Sequence, residues 1–509
     1  MPRTASEAFA AGGLAEFLPR RLADLPQVLS ETREAPRVQL AAALDKYLAR
    51  IGAPEPSRRA ARRLAHPGSR AILTGQQAGL LTGPAFTFYK AHTALRLAEE
   101  HDQPEAPVVP VFWIASQDHD VAEVATAHWL ESDQVVSLSL DLPAGVPVGR
   151  IPFAPYFERV QSALKGKDFV PSQLDLVLEA MAGEFSMAEV FARLLLAYLG
   201  PRGLVVADPL SPELAPLFVP SLERELQNPL ASSQAINYQA QLLRSRGIQT
   251  GLGRAAGATN LFLEGEDGQR RNLHFHNAVF SDGVQSYSQR ELSNILHQDP
   301  SRMTPGAGIR PILQDTVFPT AGFVVGPGEL AYVAELGGVY ELHNLPKPAV
   351  IERLHALVIE PTVGRILERY GLDAWEFVSD PGTLFRQAIE RESTEVQAIK
   401  NHLDHIVTEL AEVAAYVRDR DFTLLGPLRQ FEKRTNYEFG RLANKLAESQ
   451  LRRDASHRFR RERLERHLMP LGHNQERVLA FIGYSLKYGV EVIRGLESLP
   501  AVGMELISL

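Results

Sequence analysis

Two aspartates flank a histidine at Asp118, His119 and Asp120, where the stretch FWIASQDHDVAEV passes out of an apolar run. An imidazole beside carboxylates can act as a general base, and the trio could also hold a metal ion, although no standard zinc spacing is present. Asp120 and Glu123 have the D-x-x-E spacing of a helix capping box, which would account for Asp120 alone. We therefore predict catalytic roles for Asp118 and His119, with Asp120 beside them.

A second candidate site is the decapeptide TGQQAGLLTG, which begins at Thr74 and ends at Gly83. A glycine-containing loop between a strand and a helix can bind an anion through backbone N–H groups and the positive helix end, so Thr74, Gly75 and Gly83 are candidates. Gln76 and Gln77 suit hydrogen bonding to a polyhydroxylated or carboxylate ligand. The segment matches neither a P-loop nor a dinucleotide fingerprint, and an ordinary connecting loop is the alternative.

A third glycine turn, Gly-Pro-Gly-Glu, contains Gly326, Gly328 and Glu329 and follows the apolar run FVV. It repeats the order of strand, turn and helix start, and so predicts another anion cradle. Upstream, Arg310 could clamp a carboxylate and Gln314 could add an amide contact. Taken singly, a lone arginine is more often a surface charge and Gly-Pro-Gly more often a plain turn.

Apolar runs that alternate with helical patterns must position these residues. The runs AILTG, PVVPVFWIA, GLVVADP and FVV predict buried strands, and the order of strand, loop and helix predicts an α/β core with a parallel sheet. Ligands bind beyond the carboxyl ends of such strands, so the three loops should face one crevice. VAEVATAHWL, after the acidic cluster, is predicted to be helical, and Glu-Asp-Gly within ATNLFLEGEDGQRRNLHFH predicts a hairpin.

A coiled-coil arm is predicted after about Asp380. Apolar residues alternate at spacings of three and four, which is typical of a coiled-coil seam: Val396, Ile399, Leu403, Ile406, Leu410, Val413 and Val417. Gly426-Pro427 should break the helix, and a second long helix should continue into LRRDASHRFRRERLERH. The sequence thus predicts an antiparallel helical hairpin.

Composition restricts the function classes. The chain has 509 residues, 45% hydrophobic and 22% charged, with a formal net charge of -8 and no cysteine. These values predict a multidomain, soluble, cytoplasmic protein that binds neither membrane nor nucleic acid, and the basic run Arg452 to His467 fits a solvated helix face. Without cysteine there is no thiolate zinc site, so we expect no zinc and predict no metal ligands.

Five segments together resemble the bacillithiol biosynthesis cysteine-adding enzymes, the BshC family: TGQQAGLLTGPAFTFYKA, PVFWIASQDHDVAEV, RPILQDTVFPT, FVVGPGELAYVAEL and HNQERVL. The resemblance implies a Rossmann-like core with connecting-peptide insertions and a helical coiled-coil arm that supports a homodimer. The predicted boundaries are 1–139 core, 140–200 first insertion, 201–235 core, 236–300 second insertion with hairpin, 301–380 core, 381–470 arm, and 471–509 C-terminal helix returning to the body.

The family resemblance also implies a reaction, the joining of cysteine to glucosaminyl malate through an amide bond in the last step of bacillithiol synthesis. By similarity, Asp118, His119 and Asp120 belong to the active site with Gln76, Gln77 and the Gly-Pro-Gly-Glu turn. Family members commonly carry Glu-Asp-His-Asp, whereas this chain has glutamine at the first position. That change assigns acid-base chemistry to the histidine and the aspartates.

Amide formation needs an activated carboxylate, which leads to the hypothesis that ATP with magnesium activates cysteine and that His119 takes the proton of the attacking amine. The chain lacks the His-x-Gly-His and Lys-Met-Ser-Lys-Ser segments of synthetases, so Lys90 and the glycine loops are the candidates to replace them. Arg310 is the candidate partner of a malate carboxylate.

Two other readings stay open. One is a non-catalytic, nucleotide-sensing coiled-coil scaffold, and the other is a nucleotidyltransferase acting on another small acid. Clustering of Gln76, Asp118, His119 and Glu329 around one crevice would favour an enzyme over a scaffold. The donor-rich segment His473 to Arg477 could form a second ligand site or simply a capped helix start.

Overall fold

The computed structural model describes residues 4–509, which form two compact units. The first unit comprises the described chain up to Trp129, Val136–Ala356 and Glu476–Glu505. The second comprises Leu130–Val135, Leu357–Gln475 and Leu506–Leu509. The segment boundaries predicted from sequence stay predictions.

Within residues 4–509 the strands are β1 Arg70–Gln76, β2 Val108–Ile114, β3 Thr126–Glu131, β4 Gln134–Ser139, β5 Val205–Ala207, β6 Ala258–Glu264, β7 Arg270–His276, β8 Val279–Ser281, β9 Ser286–Tyr287, β10 Met303–Pro305, β11 Thr320–Val325, β12 Ala349–Glu352, β13 His355–Ile359 and β14 Met504–Ser508. The helices of the first unit are α1 Ala5–Ala10, α2 Leu25–Ser30, α3 Arg37–Arg50, α4 Glu55–Arg63, α5 Phe86–His101, α6 Val121–Val124, α7 Ala154–Leu164, α8 Pro171–Met181, α9 Met187–Leu199, α10 Val219–Gln227, α11 Ala231–Ser245, α12 Gln289–Gln298, α13 Arg310–Val317, α14 Pro327–Ala334, α15 Gly337–Leu342, α22 Phe481–Tyr488 and α23 Val490–Glu497. Those of the second unit are α16 Pro361–Tyr370, α17 Ala374–Ser379, α18 Pro381–Glu392, α19 Thr394–Arg418, α20 Leu425–Arg453 and α21 Ala455–Leu468.

A five-stranded parallel sheet in the order β12-β11-β1-β2-β5 forms the centre of the first unit. This confirms the predicted α/β core and the four apolar runs as its strands. Every residue of β2 is buried, as a strand covered on both faces requires. Because the strands are parallel, β1, β2 and β11 all end at one edge of the sheet, where the loops after Gln76, Ile114 and Val325 begin.

A second sheet of the first unit has the order β10-β6-β7-β8-β9. Its hairpin of β6 and β7 is antiparallel, with Glu264 opposite Arg270, and confirms the predicted turn at Glu-Asp-Gly. Gly268 occupies this turn at φ 73°, a conformation that glycine adopts without the strain of a side chain. The hairpin therefore places Arg270 at the first position of β7.

The helix predicted for VAEVATAHWL is wrong beyond its first four residues. Only α6 is helical, and the chain then enters the hairpin of β3 and β4. Ser132 and Asp133 form the turn at φ 47° and 63°, and the following β-branched pair Val135-Val136 favours a strand. The capping-box interpretation is also wrong, because Asp120 is the N-cap residue of α6 but its side chain makes no capping hydrogen bond.

The second unit is helical, with a core that α16 to α21 build around Phe377, Phe385, Leu464 and Leu468. Its longest helices, α19 and α20, have 25 and 29 residues and lie against each other, as the predicted hairpin requires. The predicted break at Gly426-Pro427 is misplaced, since both residues lie in the first turn of α20, where proline loses no intrahelical hydrogen bond.

The predicted continuous second helix ends at Arg453. Asp454 accepts a hydrogen bond from the Ser456 amide at 2.7 Å and caps a separate helix, α21. Across residues 4–509, no helix has the combination of length and apolar character needed to cross a membrane.

Shortening a core side chain tests the packing of the second unit. Leu464 is fully buried in its core, so Leu464→Ala should lower the free energy of unfolding of this unit by about 2–5 kcal/mol. Hydrogen exchange of the α16 and α21 amides, followed through a urea series, measures the change. Glu462→Ala, at an exposed position two residues away, is the control and should cost about 0.5 kcal/mol or less.

Candidate active site

A cavity of about 740 Å³ in the first unit lies beyond the carboxyl ends of β1, β2 and β11. Ten of the residues predicted from sequence line it: Gly75, Gln76, Gln77, Lys90, Asp118, His119, Arg310, Gly326, Gly328 and Glu329. Gln76, Asp118, His119 and Glu329 thus share one crevice, the arrangement that favours an enzyme over a scaffold. The size fits a small-molecule substrate.

Asp118 organises the loop after β2. Its Oδ1 accepts hydrogen bonds from the backbone amides of His119 at 2.8 Å and Asp120 at 3.2 Å. Its Oδ2 accepts from the Gln77 side-chain amide at 2.8 Å, which joins this loop to the loop after β1. Asp118 thus ties the loops after β1 and β2 together at the cavity wall.

His119 is held by an arginine from the antiparallel sheet. Arg270 Nη1 lies 3.0 Å from His119 Nδ1, and its guanidinium carbon lies 3.9 Å from the centroid of the Phe262 ring. Burial, and then the nearby charge of Arg270, lower the pKa of the His119 imidazole. Asp118 and Asp120 oppose this effect without outweighing it, so the neutral imidazole is favoured.

The buried Lys90 forms an ion pair with the partly exposed Glu329 at the other side of the cavity. Lys90 Nζ also donates to the Gly75 carbonyl and to Gln76 Oε1, each at 2.9 Å. Burial lowers the pKa of Lys90. Burial alone would raise the pKa of Glu329, but the adjacent Lys90 ammonium has the larger effect and lowers that pKa. The Glu329 carboxylate accepts the Gly326 amide at 2.8 Å, so it already occupies the predicted anion cradle.

Arg310 is tied to the same network. It donates to the Tyr332 hydroxyl at 2.9 Å, and that hydroxyl donates to Glu329 Oε1 at 3.0 Å. Arg310 Nη1 lies 3.4 Å from Gln314 Oε1, a long contact. Gln314 itself is fully buried away from the cavity and donates to Asp315 at 3.2 Å.

Arg254 reaches the cavity from the loop that precedes β6. Its backbone N–H donates to Asn237 Oδ1 at 2.9 Å, and its carbonyl accepts from Asn237 Nδ2 at 3.0 Å. Within residues 4–509, its buried Nε and Nη2 have no hydrogen-bond partner. Unpaired buried donors on a charged group are costly, so Arg254 is suited to receive an anionic ligand.

A buried cluster near the C-terminus supports the same wall. Arg353 donates twice to Glu476, at 2.8 and 2.6 Å, and His355 Nδ1 lies 3.0 Å from the same carboxylate. Glu476 is part of a short 3₁₀ turn, Gln475–Arg477, and Arg477 lines the cavity. Arg477 thus adds to the main cavity, and the helix that begins within the segment His473 to Arg477 is a 3₁₀ turn.

Three further predicted residues lie outside the cavity wall besides Gln314. Thr74 is buried and donates to the Val324 carbonyl at 3.0 Å, which ties β1 to β11. Gly83 closes the loop at φ 67°, and Asp120 is exposed. The positions of Thr74, Gly83 and Asp120 outside the cavity wall do not explain the binding and catalytic roles predicted for them.

Sequence reasoning missed several residues of the wall, chiefly Arg254, Arg270, Tyr332 and Arg353. Two of them come from the segment interpreted as a decorating insertion. The pair Arg270-Arg271 in a predicted strand was an available signal, since alternate residues face opposite sides and one of the pair had to point inward. Among residues 4–509, no group of three or more histidine or carboxylate side chains has a geometry that could hold a metal ion.

Comparison with known proteins decides the family. The model "Bacillithiol biosynthesis BshC, N-terminal Rossmann-like domain" matches residues 18–354, and the model "Bacillithiol biosynthesis BshC, C-terminal coiled-coil domain" matches residues 356–503. The chain belongs to the BshC family. Its Rossmann-like core and its coiled-coil domain, both predicted, are confirmed.

BshC relatives match over nearly the whole chain. A protein of Thermus thermophilus is 46% identical over 91% of this chain and 93% of its own length. Proteins of Salinibacter ruber and Symbiobacterium thermophilum are 33% and 31% identical over 91% and 90% of this chain, and 87% of their own lengths. All three bear the name "Putative cysteine ligase BshC". The family and these names class the chain as an enzyme of the ligase type.

The Arg353 cluster predicts how stability depends on pH. Burial would raise the pKa of Glu476, but its bonds to Arg353 and His355 lower it from 4.5 to about 2. A lowered pKa contributes stability above pH ~4.5 that is lost as pH falls towards 2. Hydrogen bonds to the Glu352 and Glu476 carboxylates raise the pKa of His355 above 6.5, although burial acts in the opposite direction. The contribution of His355 to stability is therefore complete below pH 6.5 and is lost as the pH rises through the raised pKa.

Glu476→Gln should flatten both limbs of the profile and cost about 3–5 kcal/mol between pH ~4.5 and ~6.5, because Arg353 stays buried without a counter-charge. Urea unfolding at a series of pH values measures this. Glu491→Gln, which breaks an exposed pair with Arg494, is the control. Equal profiles for the two variants would contradict the assignment.

Proposed function

We propose that this BshC chain joins cysteine to glucosaminyl malate through an amide bond, in the last step of bacillithiol synthesis. The observation that carries the proposal is the cavity beyond the parallel strands, where Asp118 and His119 meet the cationic side chains Arg254, Arg270 and Arg310. A substrate with two carboxylates and sugar hydroxyls suits a wall of guanidinium groups and side-chain amides. The family and the names of its relatives support the same reaction.

Arg254 is our proposed anchor for a malate carboxylate, in preference to Arg310. Arg310 already donates to Tyr332, whereas two buried nitrogen atoms of Arg254, Nε and Nη2, have no hydrogen-bond partner among the described residues. A guanidinium binds a carboxylate through two parallel hydrogen bonds, which fixes orientation as well as position. Gln77 and Gln117 line the same cavity and suit the sugar hydroxyls.

ATP with magnesium remains our proposed source of activation, because a free carboxylate resists attack by an amine. Lys90 and Gly326, two of the six residues predicted to bind the cofactor, are both bonded to Glu329, and neither offers a triphosphate a free donor as arranged. These two residues do not fit a phosphate group in this arrangement. The chain's own contribution is to bind the two substrates, to orient them and to exclude water from them.

The proposed ligands are cysteine and glucosaminyl malate. The proposed assembly is a homodimer formed through the coiled-coil arm. The seam of α19 supports the dimer, because among its predicted positions only Val396 is buried and Val413 is 44% exposed. An apolar seam left partly open in one chain can be covered by a second copy. A cytoplasmic location stays a prediction.

Product formation tests the reaction. Purified protein with glucosaminyl malate and cysteine should give bacillithiol, detected by mass spectrometry, only when ATP and magnesium are added. Product without ATP would replace the proposed cosubstrate by an already activated cysteine donor. Replacement of cysteine by other amino acids separates this ligase from a nucleotidyltransferase acting on another acid, and no product under any condition would refute the proposal.

Removing the free guanidinium tests the anchor. Arg254→Met should weaken binding of glucosaminyl malate roughly 10- to 150-fold, because a hydrogen bond to a charged group contributes about 1.5–3 kcal/mol. Calorimetric binding and the KM for this substrate are the readouts, and the KM for cysteine should change little. Arg246→Met removes a half-exposed arginine paired with Glu16 and is the control. Unchanged affinity in Arg254→Met would exclude the anchor.

A further inference from the structure

Arg270 is fixed on every side. Its Nε donates to Thr304 Oγ1 and its Nη2 to the Pro305 carbonyl, both at 2.8 Å, while the Phe262 ring covers one face. The residue is only 8% exposed, and its backbone N–H is bonded to the Gly145 carbonyl at 2.9 Å. With these contacts made, the remaining Nη1 is held 3.0 Å from His119 Nδ1.

A guanidinium carries donors only, so His119 Nδ1 must be the acceptor of this hydrogen bond. A neutral imidazole has one proton, which then resides on Nε2. The lone pair that a general base needs is already engaged by Arg270. We propose that His119 works as a hydrogen-bond donor through Nε2, not as the proton acceptor, and that Arg270 is the positioning residue that fixes this tautomer.

The other charges around His119 agree with this assignment. Asp118 Oδ1 lies 4.0 Å from Nδ1, beyond hydrogen-bond distance, and already accepts two backbone amides. Asp120 is exposed. The two aspartates act to raise the pKa of the His119 ring, but burial and Arg270 outweigh them and lower it. A neutral ring with its proton on Nε2 is the state that all these neighbours permit.

His119 lines the cavity with its side chain 34% exposed, and within residues 4–509 no hydrogen bond to Nε2 is formed. The Nε2–H group is thus available to a ligand oxygen that carries negative charge. On the proposed ligase function, this oxygen is the one on which charge develops when the amine attacks the activated carboxyl group. A donor placed there in advance stabilises the transition state.

Nuclear magnetic resonance of protein labelled with ¹⁵N in its histidine rings tests the tautomer without any assay of activity. The His119 signals are identified by their loss in His119→Gln. In the unmodified chain at neutral pH, we expect Nε2 to be protonated and Nδ1 to be unprotonated. In Arg270→Met, Nδ1 should become protonated in part of the molecules, and the ring should titrate at a higher pH. A proton on Nδ1, or a charged ring at neutral pH, in the unmodified chain would overturn the proposal.

Two substitutions test the donor role by rate. The side-chain amide of glutamine can place an N–H close to the position of Nε2, so His119→Gln should keep kcat within about tenfold of the unmodified chain. His119→Ala removes the donor and should lower kcat about 10²- to 10³-fold. Equal, large losses in both variants would restore the general base, whereas absence of activity in the unmodified chain would refute the ligase proposal and leave the tautomer standing.

Discussion

The ion pair of Lys90 and Glu329 is the interaction around which the site is arranged. Lys90 rises from α5, bonds the carbonyl end of β1 and meets a carboxylate at the start of α14. A charge buried so deeply has to be neutralised and hydrogen-bonded, because leaving either partner alone costs several kcal/mol. The pair thereby sets the separation between the loops after β1 and β11, and with it one side of the cavity.

The other side is set by the antiparallel sheet and by the loop that precedes β6. The β6–β7 hairpin delivers Arg270, and the loop before it delivers Arg254, each held by polar contacts within its own part of the unit. The loops after β1 and β2 present a glutamine pair and an acidic segment at the sheet edge. Arg254 and Arg270 add their positive charges to that of Arg310 on the cavity wall.

The sequence was most informative where a pattern reflects a local constraint. The buried strands, the hairpin at Glu-Asp-Gly and the meeting of three loops at one sheet edge all follow from hydrophobic runs, turn residues and the geometry of parallel strands. The prediction failed where a partner distant in the chain or a neighbouring side chain decides the outcome. Gly326 looked like an open anion cradle, but its amide is bonded to Glu329; Asp120 looked like a cap, but its side chain makes no capping hydrogen bond.

The bond between Arg353 and Glu476 joins residues 123 positions apart. At a synthesis rate of about 5–20 residues per second, the arginine waits roughly 6–25 s on the ribosome before its carboxylate exists. During that interval the strands of the parallel sheet are already made, yet one wall of the cavity has an uncompensated charge. The cavity is therefore a late product of biosynthesis, completed only after Glu476 has been translated.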